Sequence, residues 1–195
     1  INFDPNASDE SRKLQRAYYM ANVTMIDEQV GRIMDRLEEV GLLENSVVIF
    51  TSDHGEQIGD HWLLGKLGYF DESYHIPLII RDPNNHQNKS KIIEEYTENV
   101  DVMPTVLDWF DLPLPVQCDG QSLLPFLKND KTPSNWRDAA HWEYDFRDIV
   151  EGSAMEKSLR LTHHQCTLNV LRDDEYKYVH FTNLPPLFFL SLIHI

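Results

Sequence analysis

Val47-Val48-Ile49-Phe50 is an uninterrupted apolar run, with Gly41 and Asn45 before it and Asp53 and Gly55 after it. A run this short, bounded by turn residues and lacking polar alternation, predicts a strand buried on both faces, as in a parallel sheet. The polar residues that follow then stand at the strand's carboxyl end. In open α/β sheets the loops diverge there and leave a ligand crevice. Asp53 and His54 are thereby placed as a carboxylate and an imidazole on a rigid support. Such a pair can ligate a hard or borderline divalent metal, and Gly55 lets the backbone turn away without a side chain in the site.

The flanking segments supply the rest of an α/β layer. Ser8 or Asp9 serves as an N-cap, and Leu14, Ala17, Tyr18, Ala21, Met25, Ile26, Val30, Ile33, Met34 and Leu37 recur every three or four residues. This periodicity predicts one long helix covering a sheet face and stopping at Gly41. Gly59, Gly65 and Gly68 forbid a regular element across the whole of Glu56–Leu67 and allow backbone to approach a ligand. His61 and His75 are further titratable candidates, and Glu56 and Asp60 are candidate partners that would orient His54. Leu78–Arg81 predicts a second buried strand. Asn99–Phe110 predicts a cap and a helix with Pro104 near its first turn, and Asp119–Leu127 a turn and a short helix. Ser158–Val170 and Tyr176–Phe181 predict strands of a small antiparallel sheet, joined by a turn at Arg172–Glu175.

The net charge of -15 argues against a nucleic-acid partner, since a phosphate backbone would be repelled without a basic patch. It leaves room for a small anionic substrate, because a metal and one lysine dominate the local field. With 42% hydrophobic and 25% charged residues the chain reads as globular, and no stretch is apolar enough to span a bilayer. Cys118 and Cys166 lack metal spacing and read as buried or free thiols.

Residues 52 to 83, Ser-Asp-His-Gly-Glu-Gln-Ile-Gly-Asp-His-Trp-Leu-Leu-Gly-Lys-Leu-Gly-Tyr-Phe-Asp-Glu-Ser-Tyr-His-Ile-Pro-Leu-Ile-Ile-Arg-Asp-Pro, resemble the sulfatase branch of the alkaline phosphatase superfamily. Within it they look most like the phosphonate monoester hydrolase and arylsulfatase group. The resemblance implies an α/β, alkaline phosphatase-like sandwich with a central, largely parallel sheet flanked by helices, plus a small carboxyl-terminal antiparallel sheet. It implies that Asp53 and His54 bind one divalent metal, which could be calcium, manganese or magnesium. Lys66, thirteen positions after Asp53, would be the catalytic cation that also binds the sulfuryl or phosphoryl oxygens. His61 and His75 are additional substrate-binding candidates. The substrate would be an anionic ester of sulfate, phosphonate or phosphate.

The family's nucleophile is a formylglycine made from Cys or Ser in a Cys/Ser-x-Pro/Ala-x-Arg pattern. Cys118 is followed by Asp-Gly-Gln-Ser and Cys166 by Thr-Leu-Asn-Val, so neither fits. The formylglycine is therefore expected upstream of these residues, and a chain limited to them is expected to be inactive. The other readings are a pseudoenzyme or binding module of the same fold, and a related metal-dependent phosphotransferase with an upstream Thr or Ser nucleophile. The expected organisation is a catalytic-domain portion over 1–128, a linker at 129–135, an antiparallel subdomain over 136–189 and an atypical or artefactual tail at 190–195. Ile1–Asn6 lacks a leader pattern, which leaves the compartment open with the cytoplasm as first choice. Assembly as a homo-oligomer also stays open.

Overall fold

The computed structural model describes residues 8–85, 90–128, 131–148, 152 and 154–190. The chain divides into two compact units, residues 1–89 and 90–195.

The first unit opens with α1 (Asp9–Glu39), whose limits are set by its caps. Ser8 accepts a hydrogen bond from the Ser11 N–H through its hydroxyl, and Asp9 and Glu10 place negative charge in the first turn. At the other end Gly41 adopts φ +70°. Its N–H donates to the Glu38 carbonyl and that of Leu42 to the Leu37 carbonyl, a Schellman closure. The apolar stripe is present but covers no sheet: no residue of α1 is buried, and Leu14, Tyr18, Met25, Ile26 and Ile33 are exposed.

Next come β1 (Val48–Thr51), the short hairpin β2 (Gln57–Ile58) and β3 (Leu64–Gly65), the single helical turn α2 (Asp71–Tyr74), and β4 (Leu78–Arg81). β1 and β4 stand where the apolar runs place them, but they pair antiparallel, Val48 opposite Arg81 and Thr51 opposite Leu78. They are half-buried rather than buried, with Ile79 exposed. A parallel neighbour needs a crossover that carries the chain back along the strand. The longest helix between β1 and β4 is the four-residue α2, too short to do so. Arg81 closes the pair's end by donating to the carbonyls of Leu43 at 2.7 Å and Ser46 at 3.0 Å.

The second unit contains α3 (Val102–Trp109), α4 (Leu124–Leu127), β5 (Ala140–Asp145), α5 (Ala154–Leu159), β6 (Thr167–Arg172), β7 (Tyr176–Phe181) and β8 (Leu187–Leu190). The four strands form one antiparallel sheet in chain order. Its alternation puts Leu168, Val170 and Val179 in the interior, with Val170 opposite Val179. The strand predicted to begin at Ser158 begins instead at Thr167, because 158–165 complete α5 and a 3-10 turn. Leu190 pairs with Tyr176 inside the sheet, and 191–195 lie outside the described residues.

The Pro104 helix carries more than packing. Glu98, not Asn99, caps the 3-10 turn Asn99–Asp101 that leads into α3. The buried Asp101 accepts from the N–H groups of Glu98 and Gln121, both at 2.8 Å, and pairs with both terminal nitrogens of Arg137. Carboxylate and guanidinium meet in a fork, and this raises the Arg137 pKa. A side chain at Gly120 would meet the Val100 carbonyl, so only glycine lets the 120–121 backbone reach Asp101. The Asp101–Arg137 pair joins residues on either side of the 129–135 stretch within one unit. The division between the two compact units falls in the chain between residues 89 and 90.

Candidate active site

β1 delivers the chain into a turn locked at each position. Ser52 donates its hydroxyl to the His54 carbonyl at 2.7 Å, and Asp53 accepts from the His54 N–H at 3.0 Å through Oδ1. The Gly55 N–H donates to the Ser73 carbonyl at 2.8 Å. A Cβ on Gly55 would stand 2.1 Å from the Glu72 oxygen, so the turn sits directly against the backbone of α2.

These constraints decide the state of His54. Its Nδ1 lies 2.8 Å from the Gly55 carbonyl, and a carbonyl can only accept, so Nδ1 carries the hydrogen. In the neutral ring Nε2 then holds a lone pair. It lies 3.3 Å from Asp53 Oδ2 and 2.6 Å from Lys66 Nζ. His54 Nε2 thus lies beside both the Asp53 carboxylate and the Lys66 ammonium. An imidazole nitrogen next to an exposed carboxylate fits a divalent ion, and the Gly55 carbonyl is the outer partner that fixes ring and tautomer. Among the described residues no group of three or more His, Cys, Asp or Glu is placed to hold a metal.

Lys66 follows directly from β3, where Gln57 stands opposite Gly65 and Ile58 opposite Leu64. The hairpin brings its two ends, the Asp53–Gly55 turn and Lys66, together. Asp60 does not orient His54: it accepts from the Ile58 N–H and pairs with Arg16. His61 stacks on Phe70 with centroids 4.0 Å apart and faces Glu72 at 3.5 Å. His75 is exposed at the end of α2. Of the residues singled out from the sequence, Asp53, His54 and Lys66 converge. The aromatics Trp142 and Tyr144 lie on the half-buried face of β5, and burial raises the Tyr144 phenol. Cys166 is buried, which raises its thiol pKa, and both cysteines are free.

Two features of the site went unread in the sequence. One is α2, which holds Gly55 through its backbone and His61 through Glu72. The other is Gln57, fully buried with neither amide atom bonded, together with the equally buried Ser73 hydroxyl. A glutamine in a polar, glycine-rich segment carries no sequence signal of burial.

Residues 2–112 match the family described as sulfatase, and residues 59–190 match the carboxyl-terminal region of N-sulphoglucosamine sulphohydrolase. The chain belongs to the sulfatase family. This sulfatase-family chain is 49% identical over 174 residues to the multifunctional alkaline phosphatase superfamily protein PehA of Trinickia caryophylli, covering 89% of this chain and 34% of that protein. It superposes on the phosphonate monoester hydrolase of Agrobacterium radiobacter with a TM-score of 0.90 at 43% identity, covering 96% of this chain and 37% of that one. For the phosphonate monoester hydrolase from Silicibacter pomeroyi the TM-score is 0.92 at 33% identity, with coverage of 100% and 38%. The fold is therefore the α/β, alkaline phosphatase-like class with an antiparallel carboxyl-terminal sheet. The chain spans about a third of the length of these relatives.

Proposed function

We propose that these residues contribute one side of a metal-assisted active site that hydrolyses sulfate or phosphonate/phosphate monoesters. The observation that carries this reading is the approach of Asp53 Oδ2 and Lys66 Nζ to His54 Nε2, with the imidazole tautomer set by the Gly55 carbonyl. Asp53 and His54 would hold the ion, which when bound polarises the ester's oxygens. The Lys66 ammonium holds a non-bridging oxygen and offsets the negative charge that builds on it. Gly55, held by Ser73, keeps the His54 lone pair aimed at the ion. The nucleophile is the formylglycine expected outside these residues, and the fragment by itself would not turn over an ester.

The sulfatase family match supports sulfate esters, and the two phosphonate monoester hydrolases support phosphonates. Both substrates are tetrahedral anions with the same need for a metal and a fixed cation. The test is manganese binding by calorimetry on the full-length protein carrying this chain, followed by turnover of phenyl sulfate and a phenyl phosphonate monoester. Asp53→Asn is expected to weaken metal binding by at least about 10-fold, as loss of a metal ligand's support does. Lys66→Ala is expected to retain the metal and lose about 100- to 1000-fold in kcat. Undiminished manganese affinity in Asp53→Asn would remove Asp53 from the site.

A further inference from the structure

The tip of the β2–β3 hairpin is built at a conformational cost. Gly59 has φ +93°, and the next turn residues, His61 and Trp62, take φ +53° and +60°. Left-handed backbone is cheap for glycine and costly for a bulky aromatic residue. Trp62 is also 61% exposed, so its ring gains little from burial. Strain of this kind persists only where the surroundings over-determine it, and it gathers at functional sites.

The surroundings here do so from both sides. Arg16 of α1 donates to the Ile58 carbonyl at 3.2 Å and pairs with Asp60 at 3.6 Å. Within the tip, the Gly59 N–H donates to the Leu63 carbonyl, that of Trp62 to Gly59 and that of Leu63 to Asp60. From α2, Phe70 stacks on the His61 ring and Glu72 faces its Nε2. The indole is therefore carried on a fixed arm. That arm is rooted at the metal-binding turn on one side and Lys66 on the other. Trp62 lies four residues before Lys66, so at roughly 3.3 Å per extended residue the two backbones are at most about 13 Å apart. An ester whose anion sits at Lys66 and whose organic part runs along the hairpin toward its tip would come within reach of the indole.

Resting on the proposed hydrolase reading, we infer that Trp62 is a specificity-determining platform that stacks against a ring in the organic part of the ester. The carboxylates beside the tip, Asp60 of the turn and Glu72 of α2, already face Arg16 and His61, so the tip suits a neutral ring and not a second anion. Phenylphosphonate and methylphosphonate test this directly, since they share one headgroup and differ in the ring. Their dissociation constants are measured by calorimetry on the full-length, manganese-loaded protein. Trp62→Ala is expected to weaken phenylphosphonate about 10-fold, in line with aromatic stacking, and to leave methylphosphonate within about twofold. Trp62→Phe retains most of the preference. Trp62→Gly loses the preference while Tm holds or rises, because glycine relieves the strain. Equal weakening of both phosphonates, or unchanged phenylphosphonate binding, overturns the platform and leaves the hydrolase reading standing. Wild-type protein that binds manganese but neither phosphonate overturns both.

Discussion

The two compact units bury different kinds of side chain. In residues 90–195 the described interior is largely apolar, with Leu123, Leu124, Phe126, Cys166, Leu168, Val170 and Val179 all buried, and it also encloses Thr105, Glu156 and the Asp101 carboxylate paired with Arg137. In residues 1–89 the buried side chains of the described residues include Gln57 and Ser73 but no large aliphatic or aromatic one. The unit that carries Asp53, His54 and Lys66 is held by backbone locks: the Schellman closure of α1, the Gly55–Ser73 bond and the crossed bonds of the hairpin tip. Among the described residues, then, the Asp53–Gly55 turn is held by backbone hydrogen bonds, whereas the sheet of the second unit packs an apolar interior.

The largest effect is expected where that packing encloses charge. Arg137→Ala strands the fully buried Asp101 carboxylate, and loss of one partner of a buried pair costs about 3–5 kcal/mol. Trp136, whose ring lies 5.1 Å from the guanidinium, reports the unfolding by fluorescence in a denaturant titration. A loss below about 1 kcal/mol would show the pair to be solvated and would erase the contrast between the units. The comparison sharpens with two aliphatic truncations. Leu168→Ala, at 2% exposure, is expected to cost about 2–5 kcal/mol. Ile33→Ala on α1, at 60% exposure, is expected to stay within about 0.5 kcal/mol. Equal costs would mean that the α1 stripe is covered in solution.

What the sequence revealed follows the same division. The limits of α1 were readable because Ser8 and Gly41 act locally, and β1, β4 and β7 because apolar runs and alternation act within a few residues. Asp53, His54 and Lys66 were found through resemblance over residues 52–83; a bare Asp-His-Gly reads more readily as a capped turn. The antiparallel partnering of β1 escaped because an apolar run states burial but not direction. Asp101 and Arg137 are 36 residues apart, and the Gly55–Ser73 bond spans a hairpin and a loop. Pairings of that range leave no local pattern.

The smallest expected effect concerns how the sheet's β6–β7 turn is tied within its unit. The Tyr96 hydroxyl donates to Asp174, while the Tyr96 carbonyl accepts from the Trp136 indole N–H at 2.9 Å. Burial, then the Asp174 carboxylate, pushes the Tyr96 phenol up to about 12 from 10.0. A folded-state pKa above the unfolded value means that the folded chain holds its proton more tightly. This contribution to stability is therefore complete below about pH 10 and is lost as pH rises toward 12. Ultraviolet absorbance of phenolate should show a late step among the eight tyrosines, absent in Tyr96→Phe. Asp174→Asn keeps an acceptor but removes the charge, so the step should move to lower pH without vanishing. The same variant should shift the alkaline unfolding of the sheet and leave the helical signal of α1 unchanged. A late step that survives Tyr96→Phe would assign it to Tyr69 or Tyr144, whose phenols burial also raises, and would place the tie elsewhere in the fold.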